Sequence, residues 1–155
     1  HVFDPYVDAK ALQELAHQCG VHVLSGAAQD IAACSDIIVT ASRSKTPLFA
    51  GESLKAGCFI AAIGSSLPNT RELDDMSLAR ASRIAVDWSA QTLREAGDLV
   101  MASPEVLRGK VVDLADLITG KAAGRTSDSD ITLYKSVGVG LQDIALAGLV
   151  WSRLQ

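Results

Sequence analysis

Short runs of apolar, β-branched residues recur along this chain, separated by stretches of helical periodicity. Asp36 to Ala41 reads DIIVTA, Cys58 to Ile63 reads CFIAAI and Arg83 to Asp87 reads RIAVD. Such runs are of the kind buried on both faces of a parallel sheet. Val2-Phe3 and Val21 to Leu24 read as two further short strands. Within Val7 to Cys19, apolar Ala11, Leu12, Leu15 and Ala16 fall on one face of a helix, and Gly20 stands where a glycine would end it. Ala27 to Cys34 and Ser89 to Ala96 read as helices too. Strands alternating with helices of ~10 residues imply right-handed crossovers, so the expected fold class is α/β with a doubly wound parallel sheet.

The last third differs. Val112 to Thr119 reads as a short helix closed by Gly120, a polar loop covers Lys121 to Asp130, and Ile131 to Tyr134 reads as a strand. Val137 to Leu154 then carries Leu141, Ile144, Ala145, Leu149 and Val150 as the stripe of a long C-terminal helix. Gln142, Asp143 and Arg153 make that segment too polar to span a membrane.

Asp4, Thr40 to Ser42, Gly64 to Ser66 and Asp87 all stand where an apolar run turns into small or polar residues. Ligands of open α/β sheets bind outside these carboxyl ends, which predicts one shared crevice. Asp4 has two readings, an acceptor for ribose hydroxyls or the N-cap of the following helix with Pro5 behind it. Ser136 likewise reads as an N-cap or as a hydroxyl aimed at a polar ligand group. Gly138-Val139-Gly140 is not a G-x-G-x-x-G fingerprint, because position 143 is Asp. Ser65-Ser66 lacks the elbow of a hydrolase nucleophile. His17 and His22 make a poor metal pair, and no metal site is expected.

Composition excludes several classes. With 14 Lys+Arg against 18 Asp+Glu and no basic run, the chain does not read as a partner of nucleic acid or of an anionic membrane. No apolar run approaches the ~20 residues of a membrane span, and no signal peptide is expected. Cys19, Cys34 and Cys58 form no C-x-x-C pair, and the expectation is buried, reduced thiols in a cytoplasmic protein.

Taken in order, VTASRSKTPLF, LKAGCFIAAIGSSLPNTRELDD, VDWSAQTLREAGDL and GKAAGRTSDSDITLYKSVGVGLQD resemble the ornithine cyclodeaminase/mu-crystallin family over essentially all 155 residues. The resemblance implies a Rossmann-like sheet that binds NAD(H) or NADP(H), beside an N-terminal domain for dimerisation and substrate. Residues 1–120 then form a partial NAD(P)-binding domain. Residues 121–155 complete it with a loop, a strand and a helix that packs toward the N-terminal domain. The opening HVFD reads as the second strand of that fold, without the first strand and its Gly-rich loop.

By the same resemblance, Asp4, Pro5 and Tyr6 hold the adenosine ribose, and the absence of a cation there favours NAD over NADP. Val39, Thr40 and Ala41 lie over the adenine and ribose side. Ile63 and Ser66 lie beside the nicotinamide, Ser136 lies at its end, and Glu95 lies on the substrate side. The cyclodeaminase and alanine dehydrogenase branches carry a catalytic Asp where this chain has Ser66. A neutral hydroxyl is no substitute for a carboxylate base, so imine reduction is favoured over ornithine cyclisation. No catalytic residue is assigned within these 155 residues. The expected activity is NAD(P)H-dependent reduction of a cyclic ketimine, or dehydrogenation of a small amino acid, by a homodimer. Ornithine cyclodeamination, with NAD recycled, and non-catalytic ligand binding are the alternatives.

Overall fold

The computed structural model describes residues 1–155. In chain order it contains α1 (Ala9–Cys19), α2 (Ala28–Cys34), β1 (Ile37–Thr40), a 3₁₀ turn (Gly51–Ser53), β2 (Phe59–Ala62), α3 (Asp75–Arg80) and β3 (Ala81–Val86). There follow α4 (Ser89–Glu95), α5 (Gly97–Val100), α6 (Pro104–Leu107), β4 (Val111–Asp113), α7 (Leu114–Ile118), β5 (Ile131–Lys135) and α8 (Gly140–Arg153). The five strands form one sheet in the order β1-β2-β5-β3-β4, every pair parallel. The expected α/β class with a parallel sheet therefore holds.

Alternation along the strands builds the core. Ile38, Ile60, Ala62, Ile84, Val86, Ile131 and Leu133 point to one face, where Phe49, Leu54, Leu73, Leu78 and Leu99 close over them. Burying a side chain of this size contributes ~1.5–3 kcal/mol. The other face is covered unevenly. At β1, Ile37 and Val39 are 67% and 61% exposed, so this run is buried on one face where both were expected.

Local signals explain the boundaries. Asp8 caps α1 by accepting from the Ala11 amide at 2.8 Å, and Gly20 closes it at φ 64°. Asp74 caps α3 in the same way, accepting from the Ser77 amide at 2.7 Å.

Several expectations need correction. Val21 to Leu24 forms no strand, and only a single parallel bridge joins Val2 to Ser25. That pair is not hydrogen-bonded to β1; a groove of about 380 Å³, lined by Val2, Phe3, Ile37, Val39 and Thr40 among others, runs between them. An isolated two-strand contact has little stability of its own. Val112 to Thr119 is not one helix: it begins within β4, where Val111 and Val112 pair with Ile84 and Ala85, and turns helical only at Leu114. The C-terminal helix starts at Gly140, its stripe exposed throughout. Of the thiols only Cys58 is buried; Cys19 and Cys34 are exposed, and all three are free.

Candidate functional site

Because every strand runs the same way, their carboxyl ends share one edge of the sheet. The register places Thr40, Ala62, Lys135 and Val86 side by side across β1, β2, β5 and β3. One residue further on, Ala41, Ile63, Ser136 and Asp87 form the rim. The ladder reaches into that row, the Ile63 amide donating to Thr40 O at 2.9 Å and the Ser136 amide to Ala62 O at 3.1 Å. Residues from four strands thus meet at one edge; of the predicted strand ends, those at Thr40, Gly64 and Asp87 are among them, joined by the end of β5, whereas Asp4 is not.

At the β3 and β5 end, Asp87 organises the rim. Its carboxylate accepts from the Tyr134 hydroxyl, from Ser136 Oγ at 2.7 Å, from the Val137 and Gly138 amides at 3.0 and 3.2 Å, and from Gln142 Nε2 at 3.3 Å. Burial works to raise the pKa of Asp87, but the hydrogen bonds from Tyr134, Ser136, Val137 and Gln142 outweigh it and hold the carboxyl below the usual range. Burial and the Asp87 carboxylate push the Tyr134 phenol up. Asp87 is therefore an anion and Tyr134 a neutral donor at neutral pH.

At the β1 and β2 end, Glu72 has the corresponding place and is fully buried. Its Oε2 accepts from Thr40 Oγ1 and the Gly64 amide at 3.0 Å and from the Ser65 amide at 3.1 Å; its Oε1 accepts from the Ser42 amide at 2.5 Å. A side chain at Gly64 would collide with the Ser42 backbone and with Glu72, so only glycine allows this approach. The backbone of Glu72 is itself anchored. Asp98 Oδ1 accepts from the Glu72 and Leu73 amides at 2.7 and 2.9 Å, and Asp98 Oδ2 pairs with Lys135 Nζ at 3.0 Å, both side chains completely buried.

The sequence-predicted residues fall into three groups. Ala41, Ile63, Ser66 and Ser136 lie on or just beyond the rim, with Ala41, Ile63 and Ser66 exposed. Val39 is exposed on the open face, whereas Thr40 is 4% exposed and spends its hydroxyl on Glu72. Asp4, Pro5 and Tyr6 stand across the groove on the surface, Tyr6 being 95% exposed.

Asp4 is not a helix cap, since Asp8 fills that place. Its Oδ1 accepts from the Tyr6 amide at 2.8 Å, and its other oxygen has no protein donor. Ser136 is no cap either: Val139 holds that position, and the hydroxyl goes to Asp87. Glu95, exposed on α4, accepts from Gln91 Nε2 at 2.9 Å; the same nitrogen reaches Gly138 O at 3.3 Å and so ties Glu95 to the rim loop.

Sequence reasoning missed Glu72, Asp98 and Lys135. One signal was available: in ITLYK the inward positions are Ile131, Leu133 and Lys135, and a lysine in a buried phase requires a carboxylate partner.

The rim suits a flat, polar-edged ligand such as a dinucleotide. Ala41 and Ser66 are exposed small residues on it, and Asp4 has a free carboxylate oxygen.

Comparison with known proteins gives concordant results. The profile of the ornithine cyclodeaminase/mu-crystallin family matches residues 3–155. A Delta(1)-pyrroline-2-carboxylate reductase of Colwellia psychrerythraea is 40% identical over 125 residues, covering 79% of this chain and 39% of that protein. The crystal structure of a probable ornithine cyclodeaminase from Bordetella pertussis Tohama I is 57% identical, with a TM-score of 0.94 over 99% of this chain and 50% of that one. The Thermococcus litoralis Delta(1)-pyrroline-2-carboxylate reductase, solved in complex with NADH and L-proline, is 26% identical, with a TM-score of 0.84 over 97% of this chain and 47% of that one. The chain thus spans from 39% to 50% of the length of these relatives.

Proposed function

The chain belongs to the ornithine cyclodeaminase/mu-crystallin family, and from that premise we propose that it is the NAD(H)-holding part of an oxidoreductase acting on a carbon–nitrogen bond, most specifically a reductase of cyclic ketimines. The observation that carries this reading is the rim itself: Ala41, Ile63, Ser136 and Asp87 in one row at the carboxyl edge of a parallel sheet. The 40% identity to a pyrroline-2-carboxylate reductase supports the imine as substrate.

The residues would divide the work as follows. Asp4 would accept ribose hydroxyls through its free oxygen, and the absence of a cation at Pro5 and Tyr6 favours NAD(H) over its phosphorylated form. Val39 to Ala41 would line the adenine and ribose side, Ile63 and Ser66 the nicotinamide side. Ser136, held by Asp87, would present the loop at the nicotinamide end, and Glu95 would face the substrate through the same loop. When bound, the cofactor supplies the hydride for the imine carbon. Ser66, exposed and uncharged, excludes a carboxylate base at that point of the rim. The exposed stripe of α8 would pack against a further domain or a second protomer of a cytoplasmic homodimer.

The test is an assay of the full-length protein with pyrroline-2-carboxylate and NADH or NADPH. Oxidation of NADH, faster than of NADPH, is expected. Failure of both cofactors to react with any cyclic imine, or with a 2-oxo acid plus ammonia, would overturn the reading. A second reading, ornithine cyclodeamination, is favoured by the 57% identity to the B. pertussis protein. Proline and ammonia formed from ornithine without net NADH would establish it instead.

A further inference from the structure

We propose that Glu72 is a positioning residue whose buried carboxylate holds the loops after β1 and β2 in the shape that receives the dinucleotide, a role that rests on the function proposed above. The loops have ties of their own, Ser65 Oγ donating to Thr70 O at 2.6 Å and the Arg71 amide to Ser44 O at 2.8 Å, but Glu72 is the side chain that takes donors from both. Ala41, Ile63 and Ser66 are exposed, yet Thr40, Ser42, Gly64 and Ser65 all donate to this one side chain. Both carboxylate oxygens are occupied, and every partner is a donor. The position thus calls for two acceptor oxygens: an amide in its place would turn N–H groups toward N–H groups.

The spacing between the loops also depends on Glu72. Gly64 lies against the Ser42 backbone so closely that no Cβ fits, and Glu72 bridges the two at that point. Its own backbone is fixed from behind by Asp98, whose second oxygen meets Lys135, the residue before Ser136 on β5. One buried chain of charges therefore links the ends of β1, β2 and β5. Thr40 acts on the ligand through Glu72, because its hydroxyl is turned inward.

The experiment uses the full-length protein with Glu72→Gln, Thr40→Val and Thr40→Ser. Amide hydrogen exchange at Ser42, Gly64 and Ser65 reads the loops, and KM for NADH is set against KM for the imine and against kcat. Glu72→Gln is expected to speed exchange at these amides and raise KM for NADH roughly tenfold, leaving KM for the imine unmoved. Thr40→Val, which removes one donor of four, should raise it about threefold, and Thr40→Ser, which keeps the hydroxyl, should restore it. If Glu72→Gln does not fold, the Thr40 pair decides alone.

Unchanged exchange protection in the variants overturns the clamp whatever the cofactor. Faster exchange with KM for NADH unmoved overturns the positioning role and leaves Glu72 a purely structural residue. A wild-type protein that binds no NADH overturns the functional reading first, and the positioning role with it.

Discussion

Asp87 at the end of β3 accepts the hydroxyl of Ser136, which follows β5, at 2.7 Å. This bond joins two residues 49 apart in sequence and fixes the loop that leads into α8. Replacing Asp87 with Ala leaves the Val137 amide and the Tyr134 hydroxyl without their acceptor, while the exposed Gly138 amide keeps Ser136 Oγ at 3.2 Å. The expected loss is about 2 kcal/mol of stability, read by urea denaturation, since an orphaned, partly buried donor costs ~1–3 kcal/mol. Ser136→Ala, which removes one donor of five, should cost less.

The same carboxylate sets part of the acid limit. The Asp87 pKa is lowered in the folded protein, as is that of Asp75, the latter chiefly by its hydrogen bond from Arg71. A depressed folded pKa gives stability that is present above the unfolded value of about 3.9 and is lost as pH falls through the folded one. Unfolding free energy should therefore drop as pH is lowered below about 4. In Asp87→Asn that limb should be flatter; an unchanged pH profile would contradict the assignment.

Lys135 and Asp98 form an ion pair with no exposure to solvent. Breaking such a pair from one side costs ~3–5 kcal/mol, because a buried charge is left alone. The two halves are not equivalent here. Lys135→Met leaves Asp98 with the Glu72 and Leu73 amides, whereas Asp98→Ala orphans both amides and the ammonium together. Asp98→Ala should be the more damaging, and denaturation midpoints of the two variants would show the order.

Two glycines should respond oppositely to alanine. Gly64→Ala drives a methyl group into Ser42 and Glu72, at an expected cost of ~1–3 kcal/mol with loss of cofactor affinity. Gly148 lies in α8 with open space around it, and alanine there should stabilise by up to ~1 kcal/mol through helix propensity. Thermal melts of both variants check the contrast.

Asp4→Ala tests the nucleotide preference. If its free oxygen holds the ribose, loss of charge-assisted hydrogen bonds should cost ~1.5–3 kcal/mol of NADH binding. A fall in affinity of less than about threefold, by fluorescence titration, would leave NAD selection without this residue.

Much of the fold could be read from the chain because the strand signals are local. β-branched runs mark β1, β2, β3 and β5, and Gly20 ends α1 as its position predicts. The errors arose where tertiary partners decide. Val111 and Val112 are a strand because β3 has an open edge, and Val21 to Leu24 is not one because its neighbour Val2 meets this segment only in the single bridge at Ser25. In the site, the rim positions followed from strand ends. Glu72, Asp98 and Lys135 did not, because each is defined by donors that come from other elements. Sequence periodicity carries burial; it does not carry pairing between distant charges.

The place of β5 in the sheet has a kinetic consequence. β2 and β3 follow one another in sequence, yet they never touch as strands; residues 131–135 must enter between them. Until that insertion occurs, Lys135 cannot reach Asp98, and Ser136 cannot reach Asp87. The edge is therefore assembled by the most non-local pairing in the chain, which makes slow folding the expectation. The β3 and β5 end of the rim should gain its order only in that late step.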